Sequence, residues 1–160
     1  MNETKSPWYE TIVLPALLRH SRTVYGKAMR QALEEAGYDD MPKNGMYVIG
    51  GLAMGAGGVP LSVLVKELGV TKQAAGQLVD TLVLRGYLQR EEDPEDRRKL
   101  SITLTKRGET AATAQHAARE NIDEQLLARV GRENLLRTRK TLAALVGIGR
   151  ETSGEEEVEH

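Results

Sequence analysis

Between Pro60 and Leu104 the chain runs without interruption through two short apolar-periodic stretches, a glycine turn and two alternating strands, and this order limits its fold more than any other feature. Leu61 to Leu68 predicts a first helix, Gly69-Val70 a tight turn, and Thr71 to Gly86 a second helix. Thr71 suits the N-cap, because its hydroxyl can accept from a free first-turn amide. Gly86 suits the left-handed residue just past a helix end. Val65, Gly69, Ala75 and Leu78 follow one another at steps of four, six and three. These are the roles a helix-turn-helix requires: a residue that lets the helices approach, a glycine that turns the chain, and apolar positions that lock the second helix on the first. Leu64, Leu68, Val70 and Leu82 complete a compact core.

Two strands follow at once. Tyr87 to Arg90 is the first and Lys99 to Leu104 the second, where Leu100, Ile102 and Leu104 alternate with Lys99, Ser101 and Thr103. Period-two alternation marks a half-buried strand. The polar run Glu92 to Arg98 joins them as a hairpin loop. The fold class expected is therefore mainly α with a small β-hairpin: a winged helix-turn-helix flanked by helices at both ends.

The flanks read as helices. Leu14, Leu17, Leu18, Val24, Tyr25, Ala28, Ala32 and Leu33 recur at three- and four-residue steps within a stretch from about Pro7 to Ala36. Pro15 either kinks this helix or opens its main portion. A weaker helix spans roughly Lys43 to Met54, weakened by Gly50-Gly51, since a glycine costs about 1 kcal/mol in a helix interior. Gly55-Ala56-Gly57-Gly58 reads as a flexible joint. Beyond the hairpin, Thr105 caps a helix to about Val130, Gly131 breaks it, and a final helix runs from about Glu133 to Gly147. The expected organisation is residues 1–40 as an N-terminal dimerisation helix, 41–108 as the winged domain, 109–150 as C-terminal dimerisation helices and 151–160 as an acidic disordered tail.

Composition bounds the function. The chain has 160 residues, 28% charged and 40% hydrophobic, which suits one soluble domain with a helical extension. Without cysteine it can hold no disulfide or thiolate metal site. The N-terminus shows no apolar stretch of signal-peptide or membrane length, so a cytoplasmic protein without a membrane partner is expected. A net charge of −1 counts mildly against nucleic acid, but the segment from Arg150 to His160 alone carries five carboxylates and one arginine. Where charges sit matters more than their sum.

The packing of the two central helices leaves Thr71, Lys72, Gln73, Gly76 and Gln77 on the outward face of the second helix. Glutamine can pair with adenine, lysine with guanine or a phosphate, and Gly76 permits close approach to a DNA backbone. Arg97, Arg98 and Lys99 are consecutive cations at the hairpin, placed to reach a narrow minor groove. Against this, all these residues suit a solvated surface, and Glu91, Glu92, Asp93, Glu95 and Asp96 offer the hairpin cations local partners.

Leu78-Val79-Asp80 with Leu82, then Arg85-Gly86-Tyr87-Leu88, Asp93-Pro94-Glu95-Asp96-Arg97-Arg98 and Leu104-Thr105-Lys106-Arg107-Gly108 resemble the multiple-antibiotic-resistance-regulator (MarR) family. The element order covers about Leu14 to Gly149. The resemblance implies a homodimer whose N-terminal helix and last two helices interlock, two winged domains on a palindromic double-stranded operator, and release by small aromatic or phenolic ligands. It also implies that Arg97 enters the minor groove while Arg98 pairs with Asp96. Two departures stand out: Gln77 and Thr81 occupy positions where members often carry arginine, and the lack of cysteine excludes the peroxide-sensing branch.

The residues themselves also point to a dimer, the alternative being that the terminal helices fold back as an intrachain core. Leu17, Leu18, Val24, Ile122, Leu126, Leu142 and Val146 give the terminal helices apolar faces that need a partner surface. A ligand cleft is expected where these helices meet the winged domain, with Trp8, Tyr9, His20, Tyr25, Met46, Tyr47 and His116 as lining residues. His116 and Glu120 stand four apart, but two ligands do not make a metal site. No nucleophile elbow, phosphate loop or zinc-protease pattern is present. The chain is read as a sequence-specific DNA-binding regulator, a ligand-responsive repressor, with no cofactor and no enzymatic activity. The alternative is a winged-helix protein-interaction module that does not touch DNA.

Overall fold

The structure is a computed structural model describing residues 6–54, 60–98 and 100–154, with the side chain of Leu100 set aside. Lys99, the Gly55–Gly58 joint and residues 155–160 lie outside the described residues. The chain forms two units, one up to Glu120 and one from Asn121.

In the first unit a 3-10 turn, Trp8–Glu10, precedes helix α1, Leu14–Glu35. Pro15 lies in the first turn of α1, where its missing N–H costs nothing, so the helix starts there and not at Pro7. Helix α2, Gly45–Leu52, is shorter than the sequence suggests; Asn44 before it takes a left-handed conformation at φ 66°. Its two glycines have a packing reason. A side chain at Gly51 would collide with Leu64, and one at Gly50 with the Gln115 amide. Close approach therefore offsets their poor helix propensity.

Helices α3, Leu61–Leu68, and α4, Lys72–Leu84, flank Gly69, whose φ of 63° turns the chain. Thr71 caps α4: the Ala74 amide donates to its hydroxyl at 3.1 Å. Strands β1, Leu88–Glu92, and β2, Leu100–Leu104, pair antiparallel with Leu88 opposite Leu104 and Glu92 opposite Leu100. Helix α5, Lys106–Ser153, carries one interruption, at Gly131, with φ 78° and ψ 162°. Only glycine enters that region without strain. The final helix runs on to Ser153, so the first residues assigned to an acidic tail are helical.

Leu33, Met41, Val48, Ile49, Leu82, Tyr87, Leu88, Ala111 and Ala112 form the core of the first unit. It joins the end of α1, α2, α4, the base of the hairpin and the first turns of α5. Small residues let α5 sit close; a side chain at Gly108 would strike the Tyr87 carbonyl oxygen. In the second unit none of the described residues is buried. Leu126, Leu127, Val130, Leu136, Leu145, Val146 and Ile148 are all exposed.

Candidate nucleic-acid interface

Helix α4 is amphipathic in the sense that matters for a groove. Ala75 and Leu82 are buried, while Thr71, Lys72, Gln73, Ala74, Gly76 and Gln77 are exposed. The N-terminal two turns thus present a polar face with the N-cap hydroxyl at its head. Beyond Gly76 a side chain would meet open space, so the chain itself gives no reason for the glycine. Thr81 turns its hydroxyl inward to the Gln77 carbonyl at 2.8 Å.

The hairpin tip is ordered by its own backbone. The Asp93 carboxylate accepts from the Glu95 amide at 2.9 Å, and Asp96 accepts from the Arg98 amide at 3.0 Å. Asp96 therefore holds the turn through the main chain of Arg98, not through its guanidinium, which corrects the expected side-chain pair. The reason is local: a carboxylate two residues back reaches a backbone amide with little rotamer cost. Arg97 and Arg98 are both exposed, and neither forms an ion pair with a described residue. Among the described residues, the five nearby carboxylates thus leave both tip arginines without an ion pair.

Two contacts fix this hairpin to the helices. Arg90 of β1 pairs with Asp80 of α4. At the base, the buried Tyr87 hydroxyl donates to Asp40. Arg107 bonds Asp40 at 2.9 Å and the Tyr87 hydroxyl at 3.1 Å. Its guanidinium lies over the Tyr38 and Tyr87 rings, 5.0 and 4.6 Å from their centroids. The Tyr87 bond, with help from Arg107, holds the Asp40 carboxyl below its usual pKa despite partial desolvation. Burial and the Asp40 bond push the Tyr87 phenol up to about 12. Arg85, capping α4, donates to the Asp40 carbonyl, and Arg107 to the Arg85 carbonyl at 3.2 Å. The end of α4, the root of the wing and the start of α5 are thereby tied to one loop. Nothing in the spacing of Asp40, Tyr87 and Arg107 announces this cluster in the sequence.

The residues expected around a ligand do not gather in one place. A cavity of about 460 Å³ is lined by Met29 of α1, Gly50, Ala53 and Met54 at the end of α2, and Ala112, Thr113, Gln115, His116 and Arg119 of α5. Of the predicted lining residues it includes His116 alone. Trp8 and Tyr9 meet edge to face and are mostly exposed, as is His20. Tyr25 is half-buried, and Tyr47 donates to Glu67. Met46 borders a separate groove along α1. Gln115 gives its amide N–H to the Met46 carbonyl at 2.8 Å, which leaves its buried oxygen without a partner among the described residues. Arg119 donates to His116 Nδ1 at 2.5 Å, so the ring proton sits on Nε2, 3.0 Å from Glu120. No group of three metal-ligating side chains occurs among the described residues. No helix among them is long and apolar enough to cross a membrane.

Residues 40–99, the helix-turn-helix and the first part of the wing, match the family model of the MarR family. No curated protein matches the chain in sequence. Among solved structures, the transcriptional regulator Tm0710 of Thermotoga maritima is 25% identical, over 89% of this chain and 97% of that one, with a TM-score of 0.54. MepR of S. aureus, solved in complex with DNA, is 19% identical over 85% of this chain and 98% of its own, with a TM-score of 0.67. A MarR-family regulator from Rhodococcus sp. RHA1 is 21% identical over 82% and 92%, with a TM-score of 0.62. Residues 40–99, the winged helix-turn-helix segment, are thus similar to the MarR family, and the chain shares its fold with solved transcriptional regulators of that kind.

Proposed function

We propose that the chain binds duplex DNA as a homodimer and represses transcription from a palindromic site. The exposed N-terminal face of α4 carries this reading. Thr71, Lys72, Gln73, Gly76 and Gln77 stand free of the core, while Arg97 and Arg98 at the wing tip are exposed and form no ion pair with a described residue. A helix face of that kind fits the major groove, and a cationic hairpin tip fits the minor groove next to it. MepR, which shares the fold, is known bound to DNA. The apolar residues left uncovered between Leu126 and Ile148 support a second copy as partner.

Ligand response rests on the cavity between α1, α2 and α5. Its walls combine methionine and alanine with Thr113, Gln115, His116 and Arg119. That mixture takes a small molecule with an apolar body and an acidic or acceptor edge. Arg119 bonds His116 Nδ1 and forms no ion pair with a described residue, so its charge stays available to a bound anion.

Selection of bound sequences from random duplex DNA tests the central proposal. Palindromic sequences with half-sites about one helical turn, roughly 10 bp, apart are the expected yield. Enrichment of no sequence, or of single asymmetric half-sites, would refute it.

A further inference from the structure

Most of helix α1 carries charge of one sign only. From Thr11 to Leu33 there is no aspartate or glutamate, yet Arg19, Arg22, Lys27 and Arg30 occur there. At 3.6 residues per turn these four fall within about 140° of arc and span about 16 Å along the axis. Arg19, Arg22 and Lys27 are exposed and Arg30 is half-buried. None of the four is paired to a carboxylate among the described residues. What sets this stretch apart is the lack of any acid to offset its cations.

The stripe is also shaped. Thr23, Gly26, Lys27, Arg30 and Met46 of α2 line an open groove of about 290 Å³. Gly26 sits in the middle of α1 with nothing within 4 Å of where a side chain would begin. It costs about 1 kcal/mol of helix propensity against alanine and serves no packing contact in this unit. Its effect is to keep the groove open between two cations.

One end of the stripe lies near the helix-turn-helix. Arg22 lies near enough to Tyr47 for its charge to act on the phenol, and the Tyr47 hydroxyl bonds Glu67 on α3. In helix-turn-helix proteins the first helix of the motif, here α3, crosses the DNA backbone. A single small anion would engage one or two of these cations. Four strung over 16 Å complement a polyanion with charges at regular intervals.

We infer that the cationic stripe of α1 is a sequence-independent docking surface for the sugar–phosphate backbone of duplex DNA, with one phosphate seated in the groove between Lys27 and Arg30. The inference rests on the reading of the chain as a DNA-binding protein. It adds a contact outside α4 and the wing. Such contacts position a protein and add affinity, but carry no base preference.

Salt titration of DNA binding tests it, using the full chain, the triple variant Arg19→Gln/Lys27→Gln/Arg30→Gln, and Arg97→Ala as a control. Each phosphate contact contributes about 0.9 to the slope of log K against log salt. The triple variant is expected to lose about two units of slope or more, and to weaken on random and selected duplexes by the same factor. Because the chain has no cysteine, a Thr23→Cys protein can carry a DNA-cleaving iron chelate at that position alone. Cuts in the strands flanking the selected site are expected.

An unchanged slope in the triple variant beside a reduced one in Arg97→Ala overturns the stripe alone, and so does an absence of cuts. A loss of discrimination between random and selected duplexes overturns it in favour of base reading. A changed association state by sedimentation overturns it in favour of a self-interface. If the parent binds no duplex at all, the proposed function falls and the stripe with it.

Discussion

Replacing Tyr87 by phenylalanine removes one oxygen from the cluster that ties the wing to the helices. The ring is fully buried, so its apolar packing is kept. What disappears is the bond to Asp40 and the bond received from Arg107, while Arg107 and Asp40 keep each other at 2.9 Å. A hydrogen bond to a charged group contributes roughly 1.5–3 kcal/mol. The phenol's own desolvation offsets part of it, so a loss of about 1–2 kcal/mol at pH 7 is expected. The Tyr87 pKa gives the same substitution a second signature. Burial and Asp40 raise it from 10 to about 12, so the folded state prefers the neutral phenol. That stability is fully present below pH 10 and is lost as pH rises through 12. By pH 12 the parent forfeits about 2 kcal/mol that the phenylalanine variant never had. The two proteins should therefore exchange rank near pH 11, the parent more stable below and the variant above. Urea unfolding of both, followed by far-UV circular dichroism from pH 7 to 12, reads this directly. Other tyrosines titrate alike in both proteins and cancel in the difference. A stability gap that does not move with pH, or a variant as stable as the parent at pH 7, would show that the hydroxyl is not held as described.

Four further outcomes are expected. Asp40→Asn removes a stabilisation present above the ordinary aspartate pKa of 3.8 and lost as pH falls through the lowered folded value; acid unfolding should show the gap between parent and variant closing only at the acid end. Gly108→Ala places a methyl against the Tyr87 carbonyl, a backbone atom that cannot yield, and should cost about 3 kcal/mol in urea unfolding. Thr71→Ala loses the bond from the Ala74 amide and should cost about 1 kcal/mol while weakening DNA binding, read by calorimetry and by fluorescence anisotropy. Leu145→Glu with Val146→Glu puts charge on the uncovered face of the last helix and should shift a dimer toward monomer in sedimentation velocity, with little change in helical content.

How much of this was legible beforehand depends on the range of the interactions. The turn at Gly69, the cap at Thr71 and the span of α3 were readable because each is set by residues within one helical turn of one another. The outward face of α4 was readable for the same reason: once Ala75 and Leu82 point inward, the 3.6-residue period fixes the rest. The lining of the cavity was not. The chemistry of Trp8, His20, Tyr25 and Tyr47 does not say which residues share a cavity; Met29, Gln115 and Arg119 meet His116 only because α1, α2 and α5 converge. The shortness of α2 and the purpose of its glycines were equally out of reach, since the atoms that exclude a side chain there belong to Leu64 and Gln115.

The amino-acid sequence by itself determined the helix-turn-helix, the hairpin and the break at Gly131, because propensity, capping and periodicity act along the chain. Tertiary structure alone decided that Asp40, Tyr87 and Arg107 meet at the root of the wing. It also left the wing arginines without an ion pair among the described residues, despite so many nearby carboxylates. Partners separated by tens of residues are selected by distance and burial, and those quantities exist only once the chain has folded.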